Sequence, residues 1–380
     1  MKKLYAVLGG MLLFGILLMG ADRYLSVQIV DNREIIRNHR SKERFWSSET
    51  QKLIMDENTL LIFGSSELRA LENYEEKVSN FLNAPDMNVV TMGGGYFQSL
   101  SHVMELGAVS DEILNKKVAL FLSPQWFSSS GTPADAFPTR FGEENLLKFL
   151  DNNRISDANK KYVLERTINL LTNSPTQLSR VKKYKEAYLN SASIDGIYTY
   201  IMRQYWQLRG KYSVFRQMDE MERELPMVDL EHMDFDKMLE LAQKQGEASC
   251  TNNEFGVNDE YWDSYVKETY EKGEIEEKKE VFIDSVEYED FKCFLNVARQ
   301  LDIEVIVVSI PVNEKWYTFQ GMLCNEYYGK INEIVQEYDN VTLVDMTEYA
   351  DEPYFFMDVM HLGWKGWVRI SEALYKEFKK

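Results

Sequence analysis

Residues 59–70 read TLLIFGSSELRA. The run TLLIFG (59–64) is apolar without alternation, which predicts a strand buried on both faces, as strands of a parallel sheet are. It stops at Gly64 and hands over to Ser65, Ser66 and Glu67. A strand that ends in glycine and presents a small hydroxyl before a helix is how several hydrolase folds expose a nucleophile. Ser is equally a preferred helix N-cap, with Glu67 in the first turn behind it. The stretch leaves both readings open. The nucleophile reading needs a histidine, an acid and an oxyanion site from elsewhere in the chain.

Four further strand candidates follow: 87–92, 117–123, 304–310 and 340–346. The second leads into a glycine run in MNVVTMGGGY, and the third and fourth are stopped by Pro124 and Pro311. Helix-patterned segments lie between most of them. SLSHVMELGAVSDEILN (99–115) places Val103, Leu106, Ile113 and Leu114 on one face, DFKCFLNVARQLD precedes the fourth run, and CNEYYGKINEIVQEY precedes the fifth. Strands alternating with helices predict an α/β fold with a doubly wound, parallel, five-stranded sheet.

Between the third and fourth runs lies a large insertion, about residues 125–290. FGEENLLKFLDNN, NKKYVLERTINLLTN, SRVKKYKEAYLNSAS and DGIYTYIMRQYWQLRGKYSVF are helix-patterned. From Pro226 to Glu287 the composition turns acidic and reads as irregular, and the run KGEIEEKKE reads as a solvated face. Because both ends of the insertion return to the same sheet, it is a helical excursion on one catalytic domain, 59–380, and not a second domain.

The chain has 380 residues, 44% of them hydrophobic, and a formal net charge of −18 from 61 acidic and 43 basic side chains. That balance excludes a protein that binds nucleic acid through clustered Lys and Arg, and disfavours one that lies flat on an anionic bilayer. Cys250, Cys293 and Cys324 are three and widely spaced, so neither a disulfide scaffold nor a metal site is expected, although Cys293 and Cys324 could pair if their helices meet. No cofactor is expected. At the N-terminus, Lys2 and Lys3 precede an uncharged apolar stretch from Leu4 to Ala21, followed by Asp22 and Arg23. About 18 such residues reach the lower edge of a transmembrane span. The two lysines predict a cytoplasmic start, and so a single-pass anchor (1–21), a polar stalk or entry segment (22–58) and an extracellular domain. A cleaved signal peptide shares the charged-then-apolar order, but Leu18, Met19 and Gly20 make a poor cleavage site. A buried core helix is the remaining alternative.

Ligands of doubly wound sheets bind at the carboxyl ends of the strands. That rule selects Ser65 and Ser66, Gly93 to Gly95, Ser123 and Gln125, Pro311 to Tyr317, and the C-terminal segment YFFMDVMHLGWKGW. Asp358 and His361 are three apart there, just before a helix that begins near Gly363. In a tight turn this spacing lets the carboxylate orient Nδ1 while Nε2 faces outward, as a serine nucleophile requires. His361 is also open to a structural reading, as a turn histidine bonded to Asp358. The other histidines are placed less well: His39 in the stalk, His102 within a helix and His232 in the irregular part of the insertion. Trp126, Trp316, Trp364 and Trp367 fit a core, although the first two follow strands and could line a cleft.

FGSSEL, MGGGYFQS, LSPQWF, PVNEKWYTFQG and DVMHLGWKGW, in this order at strand ends behind an apolar N-terminus, resemble the SGNH (GDSL-like) hydrolases. More narrowly they resemble the DltD family of D-alanyl-lipoteichoic acid biosynthesis proteins. The resemblance implies Ser66 as nucleophile, with Ser65 as the fallback, His361 as general base and Asp358 as its orienting acid. It also implies an oxyanion site from the Ser66 N–H and a glycine of Gly93, Gly94 or Gly95, although a glycine run can be only a tight turn. Where the wider superfamily often offers an Asn side chain, this chain has SPQW, so that Gln125 is the available amide.

The resemblance further implies a membrane-anchored serine acyltransferase in D-alanylation. Lipoteichoic acid would be the acceptor, and the D-alanyl donor would be delivered by a membrane O-acyltransferase or an acyl-carrier protein. An extracellular esterase or thioesterase would use the same residues. A non-catalytic scaffold for an acyl-carrier or acyltransferase partner would not need Ser66.

Overall fold

A computed structural model of the chain describes residues 2–38, 47–68, 81–190, 193–218, 221, 226–272, 284–313, 316 and 321–380. His39, most of the KGEIEEKKE run and Tyr317 lie outside the described residues, as does the side chain of Cys324.

The five expected runs form one sheet. Its strands are β1 (Thr59–Gly64), β2 (Asn88–Gly93), β3 (Lys117–Leu122), β4 (Glu304–Ser309) and β5 (Val341–Asp345). Their order is β2-β1-β3-β4-β5, every pair is parallel, and Thr59 to Gly64 pair with Asn88 to Gly93 in sequence. Successive side chains of a strand face opposite sides, and in β1 to β4 both sides are buried, whereas the residues of the edge strand β5 are half-buried or exposed. Leu61, Phe63, Val118, Leu120, Val305 and Val307 enter one core, while Leu60, Ile62, Ala119, Phe121, Ile306 and Val308 enter the other. Two buried faces explain why β1, β3 and β4 carry no regular polar alternation.

On the first face lie α3 (Ser48–Ile54), α4 (Ser99–Val109), α5 (Glu143–Asp151), α10 (Glu287–Gln300) and α11 (Gly321–Gln336); on the second lie α9 (Phe235–Ser249) and α12 (Trp364–Phe378). α4 is shorter than its sequence pattern, which extends to residue 115. Its last turn is closed by Asn152, whose side-chain amide donates to the Gly107 carbonyl at 2.9 Å and to Ser110 Oγ at 3.0 Å. The rest of the insertion contains α6 (Asp157–Leu170), α7 (Pro175–Leu189) and α8 (Ile194–Phe215). Ser156 and Ser193 cap α6 and α8 by accepting from Asn159 N and Gly196 N. The region after Pro226 is more regular than its composition indicates. Within it, Met238, Leu239 and Ala242 form a helical stripe on α9 that packs on the second face, and Gly246 fits against Tyr354.

At the N-terminus, α1 (Lys2–Asp31) is one continuous helix, long and apolar enough to cross a membrane, and its 18-residue apolar window is wholly unburied. α1 continues beyond the apolar stretch and docks on the domain. Leu25 and Ile29 are buried, and α2 (Arg33–Asn38) and α3 add Ile36 and Ile54 to the first core.

Candidate active site

β1 ends at Gly64 and the chain turns at once into a single helical turn, Ser66–Leu68. The turn is packed tightly: a β-carbon on Gly64 would meet Glu67 and Leu68. The two serines point to different partners. Ser65 Oγ donates to the Gly94 carbonyl at 3.3 Å, whereas Ser66 Oγ lies 2.9 Å from His361 Nε2.

His361 is held by a loop that closes on itself through a bridge between Phe356 and Leu362 and a bond from Met357 N to the His361 carbonyl. Asp358 organises that loop. Its Oδ1 accepts from Met360 N at 2.8 Å and from His361 N at 2.6 Å, and its Oδ2 is 2.6 Å from His361 Nδ1. A carboxylate only accepts, so Nδ1 carries the proton and Nε2 is left to accept from the Ser66 hydroxyl. Burial works against a charge on the imidazole, but the hydrogen bond and charge of Asp358 outweigh it and raise the His361 pKa above its ordinary value. Asp358 is buried, while the His361 side chain keeps 19% of its exposure, enough for a reactant to reach it.

Gly93 and Gly94 stand on the other side of β1. Gly93 pairs with Gly64 and has φ +145, and a β-carbon there would overlap the Gly64 carbonyl oxygen. The strands approach so closely at this level that only glycine fits. The next residue turns its carbonyl toward Ser65, and Gly95 accepts from Arg140 Nε at 2.7 Å. Gln125 follows β3 in the turn Pro124–Trp126, and its Nε2 is buried without a hydrogen-bond partner among the described residues. An unsatisfied buried amide donor is costly. No group of three or more His, Cys, Asp or Glu among the described residues is placed to hold a metal ion.

Two buried carboxyl groups beneath the serines escaped the sequence analysis as site components. Glu67 Oε1 accepts from Ser65 N at 2.6 Å, and burial pushes its pKa up. Glu105 on α4 is 2.8 Å from His102 Nδ1, and His102 Nε2 is 3.1 Å from the Gly64 carbonyl oxygen. The signal available in sequence was a His and a Glu three apart within a helix whose every residue proves buried, an arrangement that rarely leaves charges unpaired. The remaining described histidine, His232, is exposed and pairs only with Asp229.

The family described as DltD protein matches residues 39–379 of the chain. Protein DltD of Bacillus subtilis (strain 168) is 25% identical over 347 residues, covering 86% of this chain and 84% of that protein. Protein DltD of Staphylococcus aureus (strain NCTC 8325 / PS 47) is 26% identical over 323 residues, covering 84% and 80%. Protein DltD of Lacticaseibacillus rhamnosus is 25% identical over 339 residues, covering 84% and 77%.

Proposed function

The chain belongs to the DltD family, and we propose that it is a membrane-anchored serine acyl-transfer enzyme acting in the D-alanylation of lipoteichoic acid, with its catalytic domain (59–380) on the extracellular side. The observation that carries this reading is the continuous hydrogen-bond chain from Ser66 Oγ through His361 to Asp358 at the carboxyl edge of the sheet.

In this mechanism Ser66 Oγ attacks the carbonyl carbon of a D-alanyl ester or thioester while its proton passes to His361 Nε2. The negative oxygen that develops is met by the Ser66 N–H, a glycine of the Gly93–Gly94 turn and the unpaired amide of Gln125. The tetrahedral adduct collapses, the bond to the leaving group breaks, and that group takes the proton from Nε2. A hydroxyl of the polymer then attacks the acyl-enzyme, again giving its proton to Nε2, and Oγ leaves and recovers that proton. The product is a D-alanyl ester of the polymer and the free enzyme. Asp358 holds the tautomer throughout and stabilises the imidazolium formed in each half-reaction.

Among the described residues, Arg140, Lys365 and Arg369 are each engaged with acceptors of the protein itself. The net charge of −18 suits the cationic amine of a D-alanyl group better than the polymer.

The test is acyl transfer by the full chain in proteoliposomes, with a D-alanyl donor, in the presence and absence of polymer. Ser66→Ala is expected to abolish transfer without unfolding, because Ser65 still bonds Gly94. Ser65→Ala is expected to retain most of it. Near wild-type transfer by folded Ser66→Ala would exclude the covalent route, and free acid without transfer would identify an esterase.

A further inference from the structure

The direction in which α1 leaves the domain follows from side-chain contacts at two levels of the sheet. The amino edge is marked by Thr59 and Asn88, the first residues of β1 and β2. Asn88 Nδ2 donates to Asp56 Oδ1 at 3.0 Å, and Asp56 also pairs with Arg37, which bonds the Ile54 carbonyl. Arg37 is on α2, and α2 begins two residues after α1 ends. The carboxyl end of α1 therefore sits at the amino edge.

The carboxyl edge is marked by Gly95, which accepts from Arg140, three residues ahead of α5. α5 then descends until Asn152 reaches Gly107 and Ser110 at the foot of α4. Its first turn is thus level with the site. There Glu144 Oε1 accepts from Ser48 Oγ at 2.8 Å and from Glu49 N at 3.1 Å. Lys211 Nζ is 3.8 Å from Glu49 Oε2 and 2.7 Å from Asp22 Oδ1. Asp22 consequently stands at the upper level, with Leu25 and Ile29 buried below it. α1 rises toward the edge that carries Ser66, and its apolar residues project past that edge by about 27 Å, at about 1.5 Å per residue. That is close to the thickness of a bilayer's hydrocarbon core.

We propose that the catalytic edge of the sheet faces the bilayer, so that the site takes substrates held at the membrane surface: an acyl ester or thioester presented by a membrane-embedded carrier, and hydroxyls of a lipid-anchored polymer near its lipid end. This rests on the reading of residues 4–21 as a membrane span and of Ser66 as the nucleophile. The continuous helix sets the height. Burial of Leu25 within one turn of the apolar stretch leaves no flexible spacer between the bilayer and the domain, and this holds an acidic domain against a surface that its charge alone would avoid.

The test uses the full chain in vesicles, with Cys250, Cys293 and Cys324 replaced by serine and a donor fluorophore on either Tyr96→Cys or Asp86→Cys. Tyr96 is exposed at the carboxyl edge and Asp86 at the amino edge. Energy transfer to a headgroup-labelled lipid is expected to be stronger from position 96; equal or stronger transfer from 86 overturns the proposal, as does failure of the chain to float with the vesicles. A second variant inserts a flexible 20-residue glycine-serine linker between Ala21 and Asp22. Its turnover of a bilayer-tethered ester is expected to fall at least tenfold while its rate on a small soluble ester is unchanged; an undiminished rate on the tethered ester overturns the proposal. If the serine mechanism itself fails, both ester rates vanish, yet the energy-transfer comparison still decides the orientation.

Discussion

His102 donates from Nε2 to the carbonyl oxygen of Gly64 at 3.1 Å, so that a side chain of α4 holds the last residue of β1, two positions ahead of Ser66. A carbonyl oxygen only accepts, so Nε2 carries the proton and Nδ1 faces Glu105. Burial raises the Glu105 pKa, which favours the protonated acid as donor to Nδ1. The Gly64–Ser65 peptide is thereby clamped at both ends, its oxygen by His102 and its N–H by Glu67.

The clamp predicts a contrast between two substitutions. Glu105→Gln keeps a donor at Nδ1 and is expected to leave acylation of Ser66 by a fluorophosphonate within about threefold of wild type, whereas Glu105→Leu strands a buried ring nitrogen and slows it about tenfold or more. Labelling rates are compared on protein shown to be folded by thermal unfolding. Equal losses in both variants would mean that an ionised carboxylate is required, and no loss in either would remove His102 from the positioning of the nucleophile.

The raised pKa of His361 predicts a pH profile. Only the neutral imidazole accepts the Ser66 proton. Activity is therefore present above the folded-state pKa of His361 and lost as pH falls through it, with a midpoint above the ordinary value of about 6.5. Asp358→Asn removes the charge that outweighs burial, so the midpoint is expected to move down while the plateau rate falls by about 10³-fold or more. The kcat/KM profile of the two proteins checks this, and an unmoved midpoint would dismiss Asp358 as the cause. Stability follows the opposite sense for the same group. The His361–Asp358 interaction is fully stabilising below the unfolded pKa and is lost as pH rises through the folded one.

Gly93 carries a stability prediction. Alanine at φ +145 is strained, and its methyl would overlap the Gly64 carbonyl oxygen across the β1–β2 pair. Gly93→Ala is expected to cost about 2–4 kcal/mol, read as a lower urea midpoint at unchanged slope. Gly95→Ala is the control: a β-carbon there meets nothing within 4 Å, and a change within about 0.5 kcal/mol is expected. A Gly93→Ala midpoint equal to that of the control would show that the strands can separate at no cost.

Much of this arrangement is legible in the chain because it is local. TLLIFG, KVALFL and EVIVVS are short, largely apolar runs bounded by Gly64, Pro124 and Pro311, too short for a helix and suited to strands covered on both faces. The segment after Pro226 was less legible. Its acidic composition hides the spacing of Met238, Leu239 and Ala242, which matters only once α9 has the second face of the sheet to pack against.

By itself the sequence determined the alternation of strands and helices, the apolar N-terminal helix, and the presence of serines, glycines, an amide and an Asp-x-x-His pair just past strand ends. Only the tertiary structure decided which serine faces His361, because that depends on how one turn packs against a loop 295 residues away. It alone brought His102 and Glu105 beneath Gly64, and it alone directed α1 past the site edge of the sheet. Spacing along a chain specifies which residues share a face or a turn. The meeting of distant residues is set by the burial of whole faces against one another, and no local pattern encodes the side on which those faces close.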